Sequence, residues 1–530
     1  MAKARDASLL CFLRRKSPRF SALLDPRLLE EKGIRIPAPT NPTSPSPHFH
    51  LLATAFSSSS SSSSSSIRHA TQRGPSSPSP MAAPVPAPPL RCWADLPGDV
   101  LYEILRRVQC GADRGCAALA CRPWRDALDR DADPPAPLPW LLLPSRSATG
   151  GRFRACCVLS GGAVHGHLRV NPPGARCFGS HDGAWLFLAF PHARVHQLRS
   201  VRTGHVHVLP SVFRPFNNAR RAGDDMAILA AALSAPPGDA TCVAAGIVVR
   251  CPNDQHHAAD ADVAATIQRR LVFWSMGAEV ALDFSPGPIE AAMEVEEVVY
   301  HDGGFHALTQ GEHIYAYTPL LSKPPTIGVA EGSRRFLPGD RIYDDDDDVV
   351  LARYLVVSRG ELLMVVRYKP SPTQKTSSFR VFQAVDVEEQ MPAAANMGED
   401  DPNPAGAGND DDPNPAATAT WSELDTLGGR VLFVGRGCSR AYEANQYPGI
   451  EEGVYFLDDS SFYDEFGRIA AANNRTYACV DNGKWSERGV ESCFPGQEEA
   501  STYSPPAWLL RGAPLASPRR GGRGQGFIYR

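Results

Sequence analysis

The sequence lacks the patterns that would mark a disulfide scaffold, a zinc module or a membrane-spanning protein. Its 13 cysteines are an odd number, no two form a C-x-x-C pair, and only Cys156 and Cys157 are adjacent. Such scatter argues for a reducing compartment and against both disulfide stapling and a zinc module. The chain also contains no run of eighteen apolar residues, so we expect no membrane span.

Motifs of the common enzyme classes are missing as well: there is no G-x-S-x-G, no Walker loop and no H-E-x-x-H. The G-x-G at 435–437 has no third glycine and no helical continuation, which favours a hairpin turn over a dinucleotide cradle. His165 and His167, like His205 and His207, share one face of a strand, but no carboxylate or cysteine stands beside them in sequence. We therefore predict exposed strand histidines, no metal, no cofactor and no catalytic residue, so the protein is not expected to be an enzyme.

The net charge adds little to these exclusions. The formal net charge of −4 gives no field strong enough to argue for nucleic acid or an anionic membrane. Residues 511–530 form a basic, glycine-rich tail in which one short RGG-like copy is a weak signal for RNA, so we expect a flexible end.

What the sequence does contain is one segment, 92–130, with a helical pattern that can be interpreted in detail. Apolar residues recur from 100 to 108 at three- and four-residue spacing, Asp95 can cap, Pro97 suits a first turn, and Gly111 is predicted to end the helix. About forty residues cannot bury this much apolar surface alone, which predicts a docking face for another protein. The alternative is an amphipathic helical hairpin that packs on its own domain.

The residues W-A-D-L-P at 93–97, V-L at 100–101, I-L at 104–105 and C-R-P-W-R at 121–125 resemble the F-box in type and spacing. The resemblance implies a three-helix motif that binds the Skp-type adaptor of a cullin ubiquitin ligase, while the rest of the chain binds the target protein. The residues expected to bind the adaptor are Leu96, Pro97, Val100, Leu101, Ile104, Leu105, Val108 and Trp124.

Residues 1–90 are predicted to be a disordered extension, because the uninterrupted serine run at 57–66 and the Pro/Ala-rich segment after it bury too little apolar area. Two interpretations stay open. The arginine-rich start resembles an organellar transit peptide, which would make the protein an organelle-targeted binding protein with a vestigial F-box. Alternatively Met81 is the functional start, and the protein belongs in the nucleus or cytoplasm.

Residues 132–152 read as a proline-rich linker, and 153–510 read as a long β domain with acidic insertions near 344–348 and 393–418. Hairpins that recur every few tens of residues favour a β-propeller-like domain over a β-sandwich or two smaller sheets. Residues 225–233 are expected to form one helix among the strands. The predicted strands are 184–190, 206–209, 242–250, 271–274, 295–300, 304–308, 313–317, 350–358, 362–368, 379–385, 431–434, 453–457 and 476–480.

The sequence from 421 to 460 resembles plant F-box proteins that carry domain of unknown function 295. The likeness rests on L-G-G-R-V-L-F-V-G-R-G at 427–437 and G-V-Y-F-L-D-D at 453–459. That likeness extends in order over about residues 90–510. It implies a kelch-like or propeller-like receptor domain with no common catalytic residue. The fold class expected from the whole sequence is therefore mostly β, with a small helical F-box and a disordered N-terminus.

Overall fold

The computed structural model describes residues 96–108, 110–128, 136–145, 152–160, 162–169, 173–190, 194–218, 222–251, 268–284, 294–321, 327–334, 349–371, 373–386, 419–447, 449–463, 476–494 and 500–511. Several predictions lie outside these residues: the extension at 1–90, the Asp95 cap, the acidic insertions at 344–348 and 393–418, and the basic tail after Arg511.

Three short helices open the described chain: α1 (Gly98–Arg107), α2 (Gly111–Ala120) and α3 (Arg122–Leu128). Pro97 occupies the position before α1 and its carbonyl accepts the Leu101 amide at 3.1 Å, so the proline costs no helical hydrogen bond. The prediction that Gly111 ends the first helix is wrong. The chain leaves α1 at Val108, which turns extended and buries its side chain, and Gly111 is the first residue of α2.

Twenty-six strands follow, in six sheets. The first sheet contains β1 (Trp140–Pro144), β2 (Arg152–Cys157), β3 (Ala163–Arg169) and the last strand, β26 (Ala507–Leu509). The second contains β4 (Arg176–His181), β5 (Trp185–Phe190), β6 (Val195–Ser200) and β7 (Val206–Leu209), and the third contains β8 (Val212–Pro215), β9 (Asp224–Leu233), β10 (Val243–Arg250), β11 (Arg270–Ser275) and β12 (Val280–Asp283).

The fourth sheet contains β13 (Val295–His301), β14 (Gly304–Thr309), β15 (Ile314–Leu321) and β16 (Ile327–Arg334). The fifth contains β17 (Val349–Ser358), β18 (Glu361–Lys369), β19 (Ser378–Asp386) and β20 (Ala419–Glu423), and the sixth contains β21 (Arg430–Phe433), β22 (Arg440–Glu443), β23 (Gly453–Phe456), β24 (Gly483–Ser486) and β25 (Gly489–Glu491). Five of the six sheets are open, and the third closes on itself because β8 pairs with both β9 and β12.

Apolar clusters between neighbouring sheets hold the propeller-like arrangement together. Leu142 and Leu188 belong to the cluster between the first and second sheets, and Leu143 and Phe433 to the cluster between the first and the sixth. Four further clusters join the second sheet to the third, the third to the fourth, the fourth to the fifth and the fifth to the sixth. The sheets therefore form a closed ring, and β26 completes it by pairing with β1 at the other end of the chain. The prediction of a mostly β, propeller-like fold is confirmed, and a β-sandwich is not what forms.

Two hairpin turns show how local sequence sets this register. Asp302 and Gly303 both have positive φ in the two-residue turn between β13 and β14, and Arg359 and Gly360 do the same between β17 and β18. Turns of this hand match the right-handed twist of the strands they join, and glycine accepts positive φ without strain. The strands predicted at 295–300, 304–308, 350–358 and 362–368 form with bounds that differ by at most one residue at either end.

The helix predicted at 225–233 is wrong, since Asp224–Leu233 is strand β9. Eight of its ten residues are buried, and it pairs with β8 on one side and β10 on the other. Alanine, leucine and methionine favour helix in isolation, but tertiary pairing overrides that preference here. Another segment approaches the backbone of β9 closely, and only glycine fits there: a Cβ on Gly437 would lie 2.7 Å from the Ala231 carbonyl oxygen.

The strand predicted at 476–480 is wrong too, because only Tyr477 forms a β-bridge, with Ser501. Side chains bind this backbone in place of a neighbouring strand. The carboxylate of Asp458 accepts the amides of Val480 and Asp481 at 3.0 and 3.1 Å. The sequence pattern cannot distinguish such side-chain anchoring from a ladder.

The propeller begins before the predicted boundary at 153. Trp140–Pro144, which we assigned to the linker, is strand β1 and pairs with both β2 and β26. Its leucines are buried in the inter-sheet clusters, which explains the apolar run inside a proline-rich segment. Among the described residues, no helix has the length and apolar character needed to span a membrane.

Candidate functional site

The three helices form one small unit with its own interior. Leu101, Leu105 and Trp124, all predicted to bind the adaptor, are buried together with Ala117 and Ala127. Val108, also predicted, is buried at the end of α1. These four side chains stabilise the unit, and contact with an adaptor stays a prediction for them.

The other four predicted residues lie nearer the surface. Pro97 is exposed, while Leu96, Val100 and Ile104 are half-buried. The sequence analysis missed Leu119 on α2, which is 77% exposed and has the largest exposed fraction among the bulky apolar residues of the described chain. Its place in a run of small residues hides it from a periodicity argument.

A buried polar cluster joins the helical unit to the first sheet of the propeller. Cys110, just before α2, has its Sγ 3.1 Å from His165 Nε2 on β3. Ser160 donates to the Asp113 carboxylate at 2.9 Å and lies 3.1 Å from the same Nε2. The prediction that His165 is an exposed strand histidine is therefore wrong, since its side chain is only 8% exposed.

The electrostatics of this cluster favour a thiolate at Cys110. The hydrogen bond from Cys157 and the contacts with His165 lower the pKa of Cys110 to about 3 against the opposing effect of burial. The same bond and burial raise the pKa of Cys157 well above its usual range. Burial lowers the pKa of His165, but Cys110 and Asp113 outweigh it, so the pKa is raised.

The second candidate location is the centre of the propeller. The G-x-G motif lies there, in the connection between β21 and β22. β21 and β22 are antiparallel, so the predicted hairpin turn is confirmed. From this turn Arg436 donates to the carbonyls of Glu296 and Arg353, at 2.9 and 2.8 Å, and its guanidinium lies 4.3 Å from the centre of the Phe462 ring. The turn thus contacts the innermost strands of two other sheets.

Glu297 lies beneath this turn and is fully buried. Its Oε1 accepts the amides of Gly437 at 2.6 Å and Val298 at 3.0 Å. Burial raises the pKa of Glu297 to about 8, in spite of Arg436 nearby. The group is neutral over most of the physiological range, which makes it a structural acid bound by backbone amides.

A pocket of about 60 Å³ opens beside the turn. Arg436 and Asp459 supply charge, and apolar and aromatic side chains such as Phe462 and Trp508 supply most of the remaining wall. A buried ion network flanks it: Arg367 donates to Asp459 at 3.0 Å and to Asp481 at 2.9 Å. A pocket of this size is well below the roughly 300–1,000 Å³ of a small-ligand cleft. Its charged groups also bind one another and the backbone.

Sequence comparison agrees with this architecture. A sequence model of the KIB1-4 beta-propeller matches residues 159–480, which is more than half of the chain. The chain belongs to the KIB1-4 beta-propeller family. No curated protein matches the chain.

The KIB1-4 beta-propeller match includes the central turn and the pocket residues Arg436 and Asp459. It confirms the propeller part of the resemblance seen in the sequence, and a propeller of this kind suggests protein–protein interaction. The match begins after the helices, so the likeness of the helical unit to an F-box stays a prediction.

Proposed function

We propose that this KIB1-4 beta-propeller protein is the substrate-recognition subunit of an SCF-type cullin ubiquitin ligase. The helical unit would bind the Skp-type adaptor and the propeller would bind the protein to be ubiquitinated. One observation carries the proposal: the described part of the segment that resembles an F-box, from residue 96 on, contains three helices that share an interior, with Pro97 at the surface.

Such a subunit acts by bringing its target protein close to the conjugating enzyme. Holding a target's lysines beside a conjugating enzyme that carries ubiquitin raises their effective concentration. This chain need supply no acid, base or metal for the ubiquitin transfer. The proposal makes the protein a non-catalytic adaptor that acts in the nucleus or cytoplasm.

Partly exposed residues supply the binding energy in this proposal. A fully buried aliphatic side chain contributes roughly 1.5–3 kcal/mol before ordering costs, and about 1.4 kcal/mol is a tenfold change in affinity. Burial of Leu96, Pro97, Val100 and Ile104 under an adaptor would therefore account for a stable complex.

The test is the double variant Leu96→Ala/Pro97→Ala in the full chain, purified with a Skp-type adaptor. We expect adaptor affinity to fall by roughly tenfold or more, because two apolar groups leave the interface. Circular dichroism should change little, since Pro97 is exposed and Leu96 only packs against the edge of the helical interior, half-buried.

Val208→Ala is the matched control, because Val208 is a 62% exposed apolar residue on the propeller. It should bind the adaptor as the unmodified chain does. Undiminished binding by the double variant would refute the proposal.

A further inference from the structure

Two cysteines and one histidine meet where the helical unit contacts the propeller. One ligand atom from each of Cys110, Cys157 and His165 lies within 4.8 Å of the other two. Cys110 and Cys157 are both buried, with 2% of each residue exposed. Sulfur and imidazole nitrogen are the ligands that zinc prefers in proteins.

We propose that Cys110, Cys157 and His165 bind one zinc ion that joins the helical unit to the propeller. The site is independent of the ligase proposal, because it depends only on these side chains. Binding would release any proton that the ligands still carry, since zinc binds cysteine as thiolate and histidine as neutral imidazole.

The spacing of the ligand atoms fits a tetrahedral ion. Zinc–sulfur and zinc–nitrogen bonds of about 2.3 and 2.0–2.1 Å place ligand atoms about 3.6–3.8 Å apart. The 3.1 Å between Cys110 Sγ and His165 Nε2 is shorter than that edge, so the pair must separate by roughly 0.5 Å as zinc enters.

Further residues hold the histidine in a ligand's orientation. Its Nε2 faces Cys110, while Nδ1 lies 3.7 Å from an Asp113 carboxylate oxygen. Trp140 stacks on the ring with centroids 5.5 Å apart, and Ser160 binds Asp113 at 2.9 Å. A carboxylate behind the second ring nitrogen is the usual support of a zinc-bound histidine.

The ligands come from separate elements whose relative position the ion would fix. Cys110 precedes α2, Cys157 ends β2, and His165 lies in β3. Three protein ligands leave one tetrahedral position for water. A catalytic thiol is a poorer explanation, because Cys110 is almost fully buried and does not line the described pocket.

Metal content of the full chain tests the proposal. The protein is purified under reducing conditions, equilibrated with Zn²⁺ and freed of loose metal, and we expect about one zinc per chain. Cys110→Ser and His165→Ala should each reduce this content by roughly tenfold or more. Cys177→Ser is the matched control and should retain zinc, because Cys177 is a buried cysteine in the second sheet.

Two further measurements separate coordination from a general loss of structure. The unmodified chain loaded with Co²⁺ should show thiolate-to-metal absorption. This absorption would show that cysteine sulfur binds the metal, even if the variants fail to fold. Asp113→Asn should weaken zinc affinity by roughly 10–100-fold without changing the content at saturation, as expected of a positioning residue.

Absence of zinc and of the Co²⁺ absorption from the unmodified chain would overturn the proposal. Retention of zinc by both ligand variants would do the same. So would mass spectrometry that finds Cys110 and Cys157 joined in a disulfide in place of bound metal.

Discussion

Glu297 makes the stability of the propeller depend on pH in an unusual direction. The unfolded chain ionises this residue near its ordinary pKa of 4.5, whereas the folded chain retains the proton until about pH 8, because burial raises the pKa. Between these values the folded state binds more protons than the unfolded state, so stability falls as pH rises. Below the lower value both states are protonated and the contribution is fully present.

The size of the effect follows from the same shift. Each pKa unit corresponds to about 1.4 kcal/mol, so the destabilisation is complete near pH 9 and amounts to no more than about 5 kcal/mol. Glu297→Gln should abolish this component. A glutamine carbonyl can still accept the amides of Gly437 and Val298, and the side chain carries no ionisable proton.

The assay is the free energy of unfolding in denaturant, measured for both chains between about pH 5 and pH 9. We expect similar values near pH 5 and a clear advantage for Glu297→Gln near pH 9. Glu361→Gln, at an exposed position where β18 begins, is the control and should follow the unmodified chain. Parallel curves for Glu297→Gln and the unmodified chain would refute the assignment of a buried neutral acid.

Two further predictions concern the interior of each part. Leu101→Ala should destabilise the helical unit by about 2–5 kcal/mol, because Leu101 is fully buried there, and limited proteolysis should then cut within 96–128 while the propeller survives. Asp481→Asn should cost the propeller about 3–5 kcal/mol in denaturant unfolding, because it leaves the buried cations of Arg367 and Lys369 without their shared carboxylate.

Both predictions have controls of the same chemistry at exposed positions. Leu119→Ala changes an exposed leucine of the helical unit, and protease sensitivity should not change. Asp182→Asn breaks a pair with Arg440 in which the aspartate is 56% exposed, and its cost should stay below about 1 kcal/mol. Equal losses for the buried and exposed members of either comparison would contradict the reasoning from burial.

Local chemistry explains which strands the sequence could predict. Strand β7 has the predicted bounds, β5 and β14 differ from prediction by one residue at one end, and β18 by one residue at each end, because turn residues mark where each run begins and ends. The Asp302-Gly303 turn fixes its hairpin with two residues of positive φ. Where a strand depends on a short turn, a single sequence carries enough information to predict it.

Strand β9 and the segment near Tyr477 required information that adjacent residues do not carry. The alanines of β9 are strand because β8 and β10 lie on either side and pair with them. Tyr477 is held by its bridge to Ser501, and Val480 and Asp481 are held by Asp458, a carboxylate from the start of the same connection between β23 and β24. Both outcomes depend on tertiary partners, which periodicity does not show.

Periodicity predicted the apolar face of the helices. It did not predict which of those residues are buried inside the helical unit and which lie nearer the surface. Leu101 and Leu105 have the spacing of a docking face, and burial places them against Trp124 inside the unit. The Cys110, Cys157 and His165 cluster was invisible for a different reason. Its members stand 47 and 8 residues apart. The pairing of β2 with β3 brings Cys157 near His165, and the packing of the helices on the first sheet adds Cys110.

The Cys110, Cys157 and His165 cluster lies at the junction between the helical unit and the propeller, and the ligase function would depend on that junction. The helical unit has a small interior of five buried residues, whereas the propeller is closed by six apolar clusters around its ring. A unit of that size cannot hold its orientation on the propeller by its own core, so contacts such as Ser160 to Asp113 and Cys110 to His165 must contribute to it. In a ligase, adaptor and target could each remain bound after the junction loosened, yet the target's lysines would no longer stay near the conjugating enzyme. A metal at the junction would therefore affect ubiquitin transfer more than either binding step.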